Sequence, residues 1–420
     1  MMFGLLDCNN FFVSCQRLFE PRWEGKPVVV LSNNDGCIIA RSNEAKALGL
    51  PMGAPVHEWA KMMKREGVKA FSCNFELYAD VSSRVMRVAR AHVPRLEVYS
   101  VDEAFLDLRG VPPAVLVEDM RNLRAAIAQG VGIPVCIGIA PSKVLAKAAN
   151  HVAKKNPHYA GIYLLHDRAA QDAVLEALPL KEVWGLGRKL SVKLEIDGLA
   201  HAKALRDSDA GQMRRRYNVM MERLIYELRG IPCRDLEPDA DDKRVIQASR
   251  SFGQRIFDLS ELKEAVAMYV TRAASQMRRE KLLAQGILVY VRTSVHGPQH
   301  TFYAGSHMVG LPAPSGDTRV LINAAHSCLN EIYKQGPAYY KAGIHLLELV
   351  SEGSFQPSLL HDGDSVQSRA LMGVMDRLDQ TFGKYTVRLA STGLEQRWQV
   401  KHEMRSPRYS TQWKELLTVR

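Results

Sequence analysis

Along the first 180 positions, apolar residues fall into short β-prone runs separated by stretches of helical period. "FGLL", "KPVVVL", "CIIAR", "LEVYSV", "AFLDL" and "VCIGIA" read as strands, and "VEDMRNLRAAIAQG" reads as an amphipathic helix. The pattern predicts an α/β or α+β domain with its strands on the core. A second stretch, roughly Ala177 to Gly230, is helical with short Gly-bearing turns. From 243 to 350 the order is strand "KRVIQASRSF", helix "SELKEAVAMYVTRAASQMRRE", strand "GILVYVRTSV", strand "HTFYAG", helix "DTRVLINAAHSCLNEIYKQG" and strand "YKAGIHLLELV". That predicts a small β-α-β-β-α-β domain. The remainder is polar and of mixed propensity, and only "SRALMGVMDRLDQTFG" has a helical period. There is no internal repeat or low-complexity tract.

A chain of 420 residues, 46% of them hydrophobic, can bury a sizeable core divided among about two to four domains. No apolar run is long enough to span a bilayer, and "MMFGLLDCNN" lacks the basic flank and cleavage site of a signal peptide, so a cytoplasmic protein is expected. The cysteines (Cys8, Cys15, Cys37, Cys73, Cys136, Cys233, Cys328) form no CxxC pair and read as thiols of a reducing compartment. The net charge of +11 favours a polyanionic partner without saying which. Its distribution says more: 11 basic against 7 acidic residues over 180–229, and 13 against 7 over 243–350. Between them "DLEPDADD", Asp235 to Asp242, holds five acids and no base, and reads as an exposed linker joining two basic modules.

The candidate chemistry starts at "YSVDEAFLDL", where Asp102 and Glu103 sit side by side in an apolar hairpin. Successive strand residues face opposite ways, so the two can share a site only if the chain turns between them. Asp-Glu is a poor two-residue turn, and adjacent carboxylates repel. A bound divalent cation removes both objections. Asp7 ends the first strand and supplies a third acid, and three carboxylates suit Mg²⁺, which takes its remaining ligands from water and phosphates. Two such ions would serve an in-line phosphoryl displacement. Spacing alone leaves a second reading open, with Asp7 capping a helix and Asp102/Glu103 forming an ordinary polar turn.

"LLDCNNFFVSC", "GKPVVVLSNNDGCIIARSNEAKALGLPMG", "FSCNFELYADVSSRV", "VYSVDEAFLDL", "IGIAPSKVLAKAANHVAKKN", "VWGLGRKL", "ASRSFG" and "SPRYST" together resemble the Y-family of translesion DNA polymerases. "SNNDGCIIAR" is similar to its UmuC branch, the catalytic subunits of bacterial DNA polymerase V. The resemblance implies an α+β multidomain right-hand polymerase: palm over 1–10 and 76–170, small fingers over 11–75, and a helical thumb with a helix-hairpin-helix over 171–234. An acidic linker over 235–242, a β-α-β-β-α-β little finger over 243–350 and a UmuC-type extension over 351–420 complete it. It further implies that Asp7, Asp102 and Glu103, with the main-chain carbonyl of Cys8, hold the metals. Phe11 and Phe12 match an aromatic pair whose second ring is a steric gate, a flat surface leaving no room for a 2′-hydroxyl. Many members place a tyrosine and an arginine where this chain has Asn43 and Lys46, so either Arg41 or Lys46 is the expected triphosphate contact. Lys143, Lys147 and Lys154 lie within about 40° of one another on a helix; Lys154 matches a family triphosphate contact.

"VWGLGRKLSVKL" has the glycine-bearing turn of a helix-hairpin-helix, in which Gly185 and Gly187 admit a phosphate while Arg188 and Lys189 add charge; an ordinary interhelical turn is the alternative. The little finger would place its sheet in the major groove of primer-template DNA, with Arg250 and Arg255 near phosphates. In "FQPSLLHD", Gln356, Leu359 and Leu360 resemble a sliding-clamp motif with its final Phe replaced by Leu. The remaining tail implies a UmuD′ dimer and a RecA filament as partners. The reading is an error-prone, non-proofreading translesion polymerase of the SOS response, using dNTP and two Mg²⁺ ions. The alternatives are a non-catalytic DNA-bound scaffold and a palm-type nucleotidyl cyclase.

Overall fold

The structure, a computed structural model, describes residues 2–237, 244–296, 302–354 and 363–417. The chain forms two compact units: Met1–Leu31, Cys37–Ala240 and Met404–Arg420 make the first, and Ser32–Gly36 with Asp241–Glu403 make the second.

In the first unit the elements run β1 (Phe3–Cys8), α1 (Phe11–Phe19), β2 (Val28–Leu31), β3 (Ile38–Arg41), α2 (Asn43–Ala47), α3 (Val56–Arg65), β4 (Lys69–Ser72) and α4 (Phe75–Arg90). They continue through β5 (Leu96–Val98), β6 (Glu103–Asp107), α5 (Pro113–Gly130), β7 (Val135–Ala140), α6 (Lys143–Lys155) and β8 (Ile162–Leu164). The helices α7 (Arg168–Ala177), α8 (Arg188–Ile196), α9 (Ala202–Asp207), α10 (Ala210–Arg216) and α11 (Val219–Leu228) follow.

The main sheet has the order β5-β6-β1-β7-β8, with β1 antiparallel to both neighbours and fully buried. Both of its faces are covered, which is why "FGLL" is apolar without alternation. Leu6 and Cys8 pack with Leu77, Val81 and Val85 of α4 and with Leu123 and Ile127 of α5. Phe3 and Leu5 point the other way, onto Val144, Leu145 and Ala148 of α6. Gly138 lets α6 come close: a Cβ there would lie 2.1 Å from the Asn150 amide nitrogen and 2.4 Å from the Ala146 carbonyl. The buried Asn150 donates its amide to the carbonyls of Leu5 (3.2 Å) and Cys136 (3.0 Å), tying the helix to β1 and β7.

A second sheet, β3-β2-β4, is covered by Ala45 of α2 and Met63 of α3. The helices α7 to α11 close around Leu175, Leu194, Leu205 and Ile225. The expected linker begins later than its composition suggests. Leu236 is buried, the Asp235 carbonyl accepts from Lys143 at 2.7 Å, and Arg109 pairs with the Asp235 carboxylate at 3.3 Å. Residues 238–242 of "DLEPDADD" lie outside the described residues.

The second unit holds β9 (Ile246–Ile256), α12 (Leu259–Arg279), β10 (Leu282–Thr293), β11 (Ala304–Ser315), α13 (Thr318–Ile332), β12 (Tyr339–Leu347) and α14 (Val366–Phe382). Its sheet order is β11-β10-β12-β9, with α12 and α13 sharing its apolar core. The expected strand "HTFYAG" is displaced: the second hairpin strand is "AGSHMVGLPAPS". Its two prolines and two glycines argue against a central strand, and they are tolerated because β11 lies at the sheet edge. Helix α14 forms where expected. It is held by Asp376, which accepts two hydrogen bonds of 2.7 Å from Arg278 of α12. The extension is divided: residues through Glu403 belong to the second unit, and Met404 onward belongs to the first.

Candidate active site

Strand alternation decides which side chains meet. Phe3, Leu5 and Asp7 project toward α6, and Glu103 and Phe105 of β6 project to the same side. Asp7 is the direct partner of Glu103 in the β1–β6 register. The hairpin turn differs from the one expected. It spans Tyr99–Asp102, with Glu103 as the first residue of β6, and the main-chain N–H groups of Tyr99 and Ser100 both donate to the Glu103 carbonyl. Asp102 is tied to the end of β1 by its own carbonyl, which accepts the Cys8 N–H at 2.9 Å. Its carboxylate accepts from the Ser100 hydroxyl at 2.7 Å.

Against this row of acids, α6 lays its row of lysines. Lys154 Nζ stands 2.5 Å from Asp7, Lys147 stands 2.9 and 3.0 Å from the two Glu103 oxygens, and Lys143 stands 2.5 Å from Glu97. The lysine stripe visible in the sequence is therefore an electrostatic counterface. Lys147 had no assigned role, and only its position in the stripe could have revealed one. Burial, with the charge of Glu103 adding and Lys154 opposing, pushes the Asp7 carboxyl up to about 7.

These residues suit magnesium. The donors are hard carboxylate oxygens, each of the two acids already attracts a lysine ammonium group, and burial beside Glu103 disfavours the Asp7 charge. Burial holds the Cys8 thiol protonated, which leaves only its main-chain carbonyl as a candidate ligand. Among the described residues no three acidic, histidine or cysteine side chains are yet gathered as a cage. Lys147 and Lys154 are the ion-pair partners of Glu103 and Asp7 here.

The residues expected to contact the nucleotide are arranged by the turn between β1 and α1. Asn10 adopts φ 48°, a left-handed conformation that asparagine tolerates, and so starts α1 directly after β1. It accepts from Lys46 at 2.6 Å and donates to Asn43 at 3.0 Å. Burial, followed by the charges of Arg41 and Lys154, lowers the Lys46 pKa, with Asp7 opposing. Arg41 itself donates to the Leu50 carbonyl. Phe11 is buried, while Phe12 is half-buried and stacks on Tyr78 with centroids 4.4 Å apart and planes 15° apart. Phe75 meets the Phe12 ring edge-on at 5.9 Å. Besides Phe11, the aromatic neighbours of Phe12 thus come from α4, which carried no sequence signal of this role.

In the helical region Gly185 has φ 97°, and the exposed Gly187 caps α8. Arg188 and Lys189 are exposed in its first turn. The first limb of this hairpin is a single 3₁₀ turn, Leu180–Glu182, rather than a full helix. In the second unit Arg255 is exposed and lies over the Tyr340 ring at 4.4 Å. Arg250 is half-buried on the helix-covered side with Ile246 and Ala248, its charge felt by the buried Tyr269. The open side instead carries Arg292 and Lys341, paired in the β10–β12 register, together with Tyr290 and His345. Alternation within "ILVYVRT" could have indicated Tyr290 and Arg292. Gln356, Leu359 and Leu360 lie outside the described residues.

Comparison with known proteins agrees with this geometry. Residues 6–151 match the impB/mucB/samB family, residues 243–359 match its C-terminal domain, and residues 369–419 match a domain of unknown function. The chain is 43% identical to protein UmuC of Salmonella typhimurium, with all of both chains covered. It is 25% identical to DNA polymerase IV 1 of Mesorhizobium japonicum, over 92% of this chain and 86% of that one. The fold is similar to a solved Y-family DNA polymerase chimera built from Dbh and Dpo4, with a TM-score of 0.68 at 18% identity, covering 84% of this chain and all of the other.

Proposed function

The chain belongs to the impB/mucB/samB family, as a UmuC-type Y-family translesion DNA polymerase, and from that premise we propose how its residues carry out nucleotidyl transfer. The primer 3′-hydroxyl attacks the α-phosphate of a dNTP and pyrophosphate leaves. Asp7, Asp102, Glu103 and the Cys8 carbonyl would hold two Mg²⁺ ions. When bound, these would favour the ionised 3′-oxygen and neutralise charge building on the phosphates.

The chain's own residues do the rest. Lys154 and Lys147 pair with Asp7 and Glu103, and Lys154 can transfer its charge to an incoming triphosphate. Lys46 and Arg41 supply further cations there, and their crowding with Lys154 is relieved by an incoming anion. Phe12 lies under the sugar and excludes the 2′-hydroxyl. The amides at the start of α8, with Arg188 and Lys189, hold primer-template by its backbone without reading sequence. On the second unit Arg255, and more readily Arg292 and Lys341 than Arg250, whose side chain shares the helix-covered face, would track phosphates from the sheet's open face. We further infer a cytoplasmic SOS-response enzyme with a UmuD′ dimer, a RecA filament and a sliding clamp as partners. No helix among the described residues is long and apolar enough to cross a membrane.

The observation that carries this reading is the direct β-register pairing of Asp7 with Glu103 beneath a lysine-bearing helix. Its test is primer extension by Asp102→Asn. Nucleotide incorporation should fall at least about a hundredfold, the scale of losing one preorganised electrostatic contact, while primer-template binding is retained. An Asp102→Asn protein that extends normally would favour the scaffold reading.

A further inference from the structure

The last part of the chain in the first unit lies across two helices of the nucleotide site. Met404 and Ser72 exchange hydrogen bonds: the Met404 N–H donates to the Ser72 hydroxyl at 2.9 Å, and the Ser72 N–H donates to the Met404 carbonyl at 3.0 Å. The fully buried Asn74 then has two duties. Its side-chain oxygen accepts the Leu77 N–H at 3.4 Å, capping α4. Its side-chain nitrogen donates to the carbonyls of Ser406 (3.2 Å) and Pro407 (3.1 Å) and to the Ser406 hydroxyl (3.1 Å).

One step further along, the segment holds α4 and α1 together. The Ser410 hydroxyl donates to Asp80 of α4 at 2.6 Å. The Tyr409 ring, buried to 3% exposure, stacks on Phe19 at the end of α1, with centroids 4.7 Å apart and planes only 2° apart. Its hydroxyl donates to Glu20 at 2.9 Å. These are the two helices between which the gate ring is stacked. Phe12 comes from α1, and its backing rings Tyr78 and Phe75 come from α4. Gln16, fully buried on α1, donates to the Tyr78 hydroxyl at 2.9 Å and completes the seam.

We propose that Met404–Ser410 is a positioning strap which ties α1 to α4, sets the depth of Phe12, and thereby tunes discrimination between deoxy- and ribonucleotides without touching the substrate. Tyr409 and Ser410 are its positioning residues. The proposal rests on the reading of Phe12 as the sugar gate. The physical basis is the steepness of steric exclusion: a ring displaced by a fraction of an ångström opens the space a hydroxyl needs, whereas a deoxyribose makes little use of it.

The test is single-nucleotide incorporation by the full-length protein, comparing kcat/KM for a dNTP with that for the matching rNTP. Tyr409→Ala should lower discrimination about tenfold, within the range that small displacements near a reacting centre produce, while dNTP incorporation changes much less. Tyr409→Phe, which keeps the ring stack, should retain most of the discrimination. In a Phe12→Ala background, Tyr409→Ala should cause no further loss, because the strap acts through that ring. If Tyr409→Ala fails to fold, Ser410→Ala and Tyr409→Phe, which each remove one hydrogen bond, make the same comparison, with a smaller loss expected that again vanishes in the Phe12→Ala background. Unchanged discrimination in the folded variants, or an equal loss with and without Phe12, would overturn the strap. Full discrimination in Phe12→Ala alone would overturn the gate itself, a distinct result.

Discussion

Asp7 occupies a place that disfavours its own charge. It is 8% exposed and faces Glu103 across the sheet, with Lys154 opposing only part of the cost of its charge. An acid raised from 3.8 to about 7 is largely protonated below that pH, so a cation must displace a proton to bind there, and less so above it. The magnesium concentration that half-saturates primer extension should therefore rise as pH falls through 7, by up to about tenfold per unit at its steepest. Magnesium titrations that coincide at pH 6 and pH 8 would contradict this. At this scale the sequence was informative where chemistry is local: Asp7 of "LLDCNN" and Glu103 of "VYSVDEAF" are register partners, while the Asp102 carboxylate accepts from Ser100 instead. The position of the turn was not legible, because it depends on the Tyr99 and Ser100 amides both returning to one carbonyl rather than on a two-residue hairpin code.

Among the elements, α6 matters most to the site, and its placement depends on Gly138. A methyl group there has no flexible neighbour to push aside, since the nearest atoms are backbone of the helix. Gly138→Ala should destabilise the protein by about 2 kcal/mol, as overpacking against backbone does. By moving Lys147 and Lys154 off their acids it should also lower incorporation more than the stability loss explains. Urea unfolding and primer extension on the same sample check both halves, and wild-type values for either would argue against this account. Helical and central-strand elements were legible because their apolar periods are strong, as in α12 and β10. Strand β11 was not: Gly305, Gly310, Pro312 and Pro314 remove the alternation, and only the pairing with β10 makes it a strand.

At the scale of the molecule, the net charge of +11 is distributed between two basic modules rather than spread evenly. If α8 grips a phosphate, the double change Arg188→Ala and Lys189→Ala should reduce the slope of log binding constant against log salt by about 1 to 2, with little dependence on DNA sequence. An unaltered slope would remove the hairpin from the DNA contact. The role of the tail was beyond the reach of sequence reasoning. "SPRYST" is short and polar, and its partners Ser72, Asn74 and Asp80 lie more than 300 positions away, so no local pattern records the pairing.

That separation has a consequence for biosynthesis. A ribosome finishes the first 240 residues and must then translate all of the second unit before the piece that completes the first unit emerges, a delay on the order of ten seconds. Until then the nascent polymerase core carries an unsealed edge at Ser72 and Asn74 and a bare Phe19. A premature stop codon near position 403 would thus leave Asp7, Asp102 and Glu103 intact in a body whose final seam is never sewn.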